Sequence, residues 1–260
     1  MSNVLTVEQR GGVALLTLNR PNQMNALNGE LVAALGEALA RCRADAGVRV
    51  VVITGAGRAF CAGADLIESA VVTRDSAAFR ELLLSWKSAF SAMGASPKPV
   101  IAALNGLTLA GGLELALAAD FMVASSSARV GDVHANFGLV PGGGGSQRLN
   151  DAVGSRAARW LMFTGETLDA EQARSIGLVH DIFDADTFVD DVWAFATKIA
   201  SRSATGLAFM KRMSRPHAIT DDGLDLEIDA AAHLVVGPDA REGLAAFAEK
   251  RSPHFTAVLP

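Results

Sequence analysis

Glu114 is a carboxylate set in an otherwise apolar run, Leu113-Glu114-Leu115-Ala116-Leu117-Ala118-Ala119. Burying it without a partner or a task is costly, so it is a candidate acid or base, with a structural ion pair as the alternative. Three residues earlier, Gly111-Gly112 marks a helix start, where main-chain N–H groups lack internal acceptors. One helical turn separates Gly111 from Glu114, so an amide donor and a carboxylate can face one ligand. Twenty residues beyond Glu114 comes His134, whose ordinary pKa of about 6.5 suits proton transfer at neutral pH. Asp132 and Asn136 stand two residues either side of it. In a strand both share its face, and either can orient the ring or a water. The chemistry these residue types allow is proton transfer beside an anionic group held at a helix start. The competing use of His134 is as a polar lining residue that moves no proton.

Other chemistries find less support. No serine lies in a GxSxG elbow, and Ser146 has no base signature nearby. Cys61 has no neighbour that marks a thiolate and reads as a small core residue. Cys42 and Cys61 are too few for a disulfide framework or a cysteine zinc site, and they suit a reducing compartment. The five histidines show no metal-ligand spacing, so no metal is expected; His180, His217, His233 and His254 read as surface or packing residues. Tyrosine is absent, which excludes a phenol proton donor. Neither Gly55-Ala56-Gly57 nor the run Gly142 to Gly145 fits a dinucleotide or P-loop pattern. With 23 Lys plus Arg against 28 Asp plus Glu, the net charge of −5 disfavours a globally basic nucleic-acid or membrane binder. An anionic ligand must be held by local groups.

The elements that position these groups alternate. Val4 to Arg10 and Val13 to Leu18 flank Gly11-Gly12 as a hairpin. Leu31, Leu35, Leu39 and Cys42 give a helix from about Gly29 to Ala44. Val48 to Thr54 and Val100 to Leu104 read as strands buried on both faces, and a helical stretch runs through Trp86 to Phe90. Gly111 to Ala119 is a helix and Phe121 to Ser125 a strand, so the chain is α/β. The window Val100 to Ala124 is apolar, but Asn105, Glu114, Asp120 and its glycines argue for strand, turn and helix over a membrane span. Beyond Val153 the pattern is almost all helical, broken by a short strand at Gly177-Leu178-Val179. The last two helices are expected at about Asp221 to Val236 and Pro238 to Lys250. No targeting segment is visible at either end, and a cytoplasmic location is expected.

Leu18-Asn19-Arg20-Pro21 through Asn25-Ala26-Leu27, then Gly57 through Leu66 (GRAFCAGADL), then Ile101 through Asp120 (IAALNGLTLAGGLELALAAD) occur in that order. Together they resemble the crotonase, or enoyl-CoA hydratase/isomerase, superfamily, and the similarity continues through Pro141-Gly142-Gly143 to Phe247-Ala248-Glu249-Lys250. The resemblance implies a crotonase-like spiral of ββα units over residues 1–200 that binds acyl-CoA. It implies a C-terminal helical region over residues 201–260 for trimerisation and CoA contact. The partner is an acyl-CoA substrate, with CoA part of the thioester and no separate prosthetic group, and the assembly a homotrimer or dimer of trimers. By the same resemblance the oxyanion donors are the N–H groups of Ala64 and Gly111. The CoA adenine lies against the backbone around Met24, Ala26, Ala62 and Leu66, in the segment that includes Asp65, with Phe247 and Lys250 near the nucleotide. Phe247 also shares a helical face with Leu244 and Ala248, and packing accounts for it equally well. Asn22 stands where many relatives carry a lysine.

The family's hydratases use a second glutamate in a Pro-Glu-x-x-x-Gly-x-x-Pro-Gly motif. Here Val133-His134-Ala135-Asn136-Phe137-Gly138-Leu139-Val140-Pro141-Gly142 keeps the spacing and puts His134 in the acid's place. The expected activity is hydration of a 2-enoyl-CoA through an oxyanion-stabilised enolate. Double-bond isomerisation, other enolate chemistry and non-catalytic acyl-CoA binding are the alternatives.

Overall fold

The computed structural model describes residues 4–65, 76–214, 238–251 and 253–255. In chain order the strands are β1 (Leu5–Arg10), β2 (Val13–Leu18), β3 (Val50–Gly55), β4 (Ala59–Cys61), β5 (Val100–Leu104), β6 (Leu107–Leu109), β7 (Phe121–Ser125), β8 (Arg129–Gly131), β9 (Leu168–Asp169) and β10 (Asp181–Phe183). The helices are α1 (Gly29–Ala44), α2 (Ser76–Ala95), α3 (Gly111–Leu117), α4 (Gly145–Thr164), α5 (Ala170–Ser175), α6 (Phe188–Ala200), α7 (Ala204–Met213) and α8 (Pro238–Glu249).

Two sheets result, ordered β1-β2-β3-β5-β7-β10 and β4-β6-β8-β9. Three successive units, β3-β4-α2, β5-β6-α3 and β7-β8-α4, each place one strand in the large sheet, the next in the small sheet, and then a helix. This repeat is the ββα spiral. β2, β3, β5, β7 and β10 run parallel, while β1 pairs antiparallel through the Gly11-Gly12 turn. Side-chain alternation splits the large sheet's residues between two cores. Leu16, Leu18, Val51, Ile53, Ala102 and Leu104 pack on one face, with α1 and α2. Val13, Leu15, Val50, Val52, Ile101 and Ala103 pack on the other, against Phe188, Val192 and Trp193 of α6. Covering on both faces explains why these strands are apolar throughout.

The structure corrects several boundaries. Gly177-Leu178-Val179 is no strand: Gly177 takes φ +80, and the N–H groups of all three bond back to carbonyls of Arg174 and Ala173 at the end of α5. Leu178 and Val179 are apolar because they plug the core, and the strand follows at Asp181–Phe183. α4 begins at Gly145, well before Val153, and kinks at Gly154. His134 to Phe137 is a 3-10 turn, so Asp132 and Asn136 do not share a strand face with His134. The window Val100 to Ala124 divides into β5, β6, α3 and β7, and among the described residues no helix is long and apolar enough to cross a membrane. The helix expected at Asp221 to Val236 lies outside the described residues.

Candidate active site

Glu114 lies on α3 with its residue 1% exposed. Its Oε1 accepts the N–H of Gly143 at 2.7 Å and of Gly145 at 2.8 Å. Arg148 braces the same run from outside, its Nη1 donating to the Gly143 carbonyl at 2.7 Å. Space requires the glycines here. A Cβ on Gly143 would sit 3.0 Å from Glu114 Oε2 and from Phe90, and one on Gly145 would sit 3.0 Å from Oε1. The run Gly142 to Gly145 therefore clamps a carboxylate. In sequence the run fits no phosphate motif, and Gly142 and Gly143 enter only through the family resemblance; a glycine run opening a helix was the available signal for the clamp.

The other oxygen of Glu114, Oε2, faces His134 Nε2 at 3.8 Å. That is beyond hydrogen-bond length. The opposite ring nitrogen, Nδ1, lies 2.7 Å from Asp132 Oδ1, and the His134 main-chain N–H donates to the same oxygen at 3.3 Å. An ionised carboxylate only accepts, so Nδ1 carries the proton there and leaves Nε2 with its lone pair toward Glu114 when the ring is neutral. Of the two residues expected to orient the ring, Asp132 is the one in contact. Asn136 instead donates to the Gly165 carbonyl at 2.9 Å.

The balance of burial and neighbouring charges shifts both groups upward. Burial raises the Glu114 pKa; the Gly145 and Gly143 N–H groups and His134 oppose this without cancelling it. Burial alone would depress His134, but the Asp132 hydrogen bond and charge, with the charge of Glu114, outweigh it and leave its pKa raised. The site thus holds an imidazole between two carboxylates, both themselves buried.

Ala64 and Gly111 come from separate loops. Ala64 forms a parallel bridge to Leu27: Gly63 O accepts the Leu27 N–H at 2.8 Å, and the Asp65 N–H donates to Leu27 O at 2.9 Å. In that pattern Ala64's own N–H points away from Leu27. Gly63, at φ +111, holds a conformation that side-chain-bearing residues rarely adopt, and a Cβ there would crowd Ala110 Cβ at 3.2 Å and touch Gly111 N at 3.5 Å. The two loops are therefore in contact. Neither the Ala64 nor the Gly111 N–H donates to an acceptor among the described residues. Ala110 adopts φ 48, ψ −118, a strained conformation for alanine that sets the tilt of the Ala110–Gly111 peptide. The Trp86 ring packs against Gly111, and its Nε1 is buried without a partner among the described residues.

Ala62 is tied to the Met24 segment, its N–H donating to Met24 O at 3.0 Å. Met24 and Asn25 turn with positive φ, and the buried Asn25 side chain donates to Ala56 O and Ala59 O. Arg20 joins the two segments, donating to Ala26 O at 2.5 Å and to Asp65 Oδ2 at 2.8 Å, so the Asp65 carboxylate is held in an ion pair. Met24, Ala26, Ala62 and Asp65 thus form one patch beside Ala64. Lys250 is exposed just after α8, and no hydrogen bond or ion pair among the described residues joins it to that patch. Leu66 and the Phe247 side chain lie outside the described residues. Cys61 is buried, and desolvation pushes its thiol up to about 12, which removes it as a thiolate nucleophile.

The model of the enoyl-CoA hydratase/isomerase family matches residues 8–257. This chain belongs to the enoyl-CoA hydratase/isomerase family. It is 38% identical over 253 residues to a probable enoyl-CoA hydratase of Rhizobium meliloti (strain 1021), covering 96% of this chain and 97% of that one. To the 2,3-dehydroadipyl-CoA hydratase of Escherichia coli (strain K12) it is 39% identical over 253 residues, 96% of this chain and 98% of the relative. The crystal structure of enoyl-CoA hydratase from Bacillus anthracis superposes with a TM-score of 0.92 at 34% identity, covering 97% of this chain and 98% of that one. As a member of the enoyl-CoA hydratase/isomerase family the chain has crotonase architecture.

Proposed function

We propose that this enoyl-CoA hydratase/isomerase-family protein adds water across the double bond of a 2-enoyl-CoA. The observation that carries the reading is the 3.8 Å gap between Glu114 Oε2 and His134 Nε2, with the far side of each group already anchored. A water bridging the two meets the Nε2 lone pair on one side and Glu114 Oε2 on the other. In the proposed reaction the thioester oxygen accepts the N–H groups of Ala64 and Gly111, which stabilise the enolate as it forms; one such donor is typically worth roughly 3 kcal/mol. Neutral His134 takes a proton from the water through Nε2 as the water oxygen bonds to the β-carbon. Protonated Glu114 then gives its proton to the α-carbon, and the imidazolium returns a proton to Glu114. Atoms balance as one water added and no net proton released.

Hydratase names among full-length relatives support this reading. The adenine contacts at Met24, Ala26, Ala62 and Leu66, the nucleotide contacts at Phe247 and Lys250, assembly into homotrimers and a cytoplasmic location belong to the same reading, and rest on the family resemblance. The test is incubation with crotonyl-CoA and longer enoyl-CoAs, following loss of the conjugated thioester absorbance. Turnover supports hydration. Binding of acyl-CoA without turnover at any chain length removes it.

A further inference from the structure

The larger cavity, about 810 Å³, is lined by Phe90, Asp120, His180 and Lys211 among others and includes neither Glu114 nor His134. A smaller one, about 360 Å³, lies where α2 faces the glycine run, and Gly143 forms part of its wall. Since the Gly143 N–H holds Glu114, this cavity adjoins the catalytic carboxylate through a single main-chain segment. α2 also reaches the other end of the site, where its Trp86 packs on Gly111.

The lining is cationic in a protein whose net charge is −5. Arg80, Leu83, Leu84 and Lys87 recur at helical spacing on one face of α2, and Gln147 and Arg148 face them from α4. No acidic residue lines the cavity among the described residues. Among the described residues neither Arg80 nor Lys87 has an ion-pair partner. The two leucines supply an apolar wall beside the charges, and Gly142 keeps that wall close: a Cβ on it would sit 2.8 Å from Leu83. An apolar wall beside cations that have no ion-pair partner among the described residues complements a chain that is hydrocarbon first and anionic at its tip.

From this we infer that the cavity between α2 and the Gly142–Gly144 run accepts the far end of the acyl group, and that the preferred substrates are acyl-CoAs carrying an ω-carboxylate. Arg80 and Lys87 are the specificity-determining residues, with Arg148 adding charge from the α4 side. The inference rests on the proposed thioester position at Ala64 and Gly111.

The test compares pairs of trans-2-enoyl-CoAs of equal length, one ending in a methyl and one in a carboxylate. The expected result is a kcat/KM ratio of about tenfold or more in favour of the carboxylate, equivalent to roughly 1.4 kcal/mol. Added salt should diminish it, and the double variant Arg80→Gln, Lys87→Gln should bring it close to one. A ratio near one in the unmodified protein, or a preference that survives the double variant, overturns the inference while leaving hydration intact. Calorimetric binding of the matching saturated acyl-CoAs separates the two readings. A binding preference for the carboxylate without any turnover sustains the cavity assignment and defeats the hydratase proposal. Repeating the binding with dephospho-CoA esters identifies the anion: if the double variant weakens methyl-ended esters only when the 3′-phosphate is present, the cations serve CoA and the ω-carboxylate assignment fails.

Discussion

His134 Nδ1 lies 2.7 Å from Asp132 Oδ1, two residues earlier in the chain, and this short contact fixes which nitrogen the imidazole presents to Glu114. A tight turn makes it possible. The 3-10 geometry of His134 to Phe137 folds the ring back over Asp132, where an extended strand would have left the two side by side on one face.

Asp132 should therefore tune the pH at which His134 works. Its hydrogen bond and charge help to raise the imidazole pKa against burial, so Asp132→Asn lowers it. If neutral His134 is the base, activity is lost as pH falls through the imidazole pKa, and the acid limb of the rate profile should move to lower pH in the variant. Turnover should also drop by about tenfold or more as the tautomer is released. His134→Ala should lower turnover at least about tenfold with little change in stability. An unmoved acid limb in Asp132→Asn, together with unchanged kinetics in His134→Ala, would assign the ring to the lining.

Glu114→Gln separates activity from stability. The amide oxygen still accepts from Gly143 and Gly145, so the fold survives, but turnover should fall by about a hundredfold or more. The Glu114 pKa is raised in the folded protein, so its protonated form is favoured by folding. That stability contribution is complete below the unfolded carboxylate pKa and is lost as pH rises through the folded value. The glutamine variant should consequently melt higher than the unmodified protein at neutral pH, with the advantage shrinking in acid. Thermal melts across pH provide the measurement, and an equal or lower melting temperature at neutral pH would contradict it.

Gly143→Ala tests the carboxylate clamp. The added methyl meets Glu114 Oε2 and Phe90 at 3.0 Å and the Glu114 carboxyl carbon at 3.2 Å, so the carboxylate is expected to be displaced by a few tenths of an ångström. A displacement of that kind should cost about tenfold to a hundredfold in kcat while acyl-CoA affinity changes little. A KM effect with intact kcat would place the glycine in binding instead.

Gly112→Ala should act on folding. Its Cβ would fall 2.0 Å from the Cys61 carbonyl oxygen, which is main chain and cannot swing aside. Chemical denaturation should show a loss of about 3 kcal/mol or more. A variant of ordinary stability would mean that α3 can slide relative to β4.

Much of the scaffold was legible because it obeys local rules. Buried parallel strands are apolar on both faces, and Val50–Gly55 and Val100–Leu104 advertise that in their composition alone. The amphipathic spacing of Leu31, Leu35 and Leu39 recovered α1 with its observed ends. The small sheet escaped because β4, β6 and β8 are three residues each, too short to show a period. Leu178 and Val179 misled because burial, and not strand pairing, made them apolar.

The same division runs through the site. Glu114 in an apolar helix and His134 at a motif's acid position identify themselves by type and spacing, because a buried charge and an altered motif residue are each conspicuous in one dimension. Tertiary structure decided the rest: that Asp132 and not Asn136 holds the ring, that glycines 143 and 145 grip the carboxylate, and that Arg80, Lys87 and Arg148 meet around one cavity. Hydrogen bonds and charge pairs depend on distances between atoms that folding brings together from separate elements, and no local pattern of residues encodes those distances.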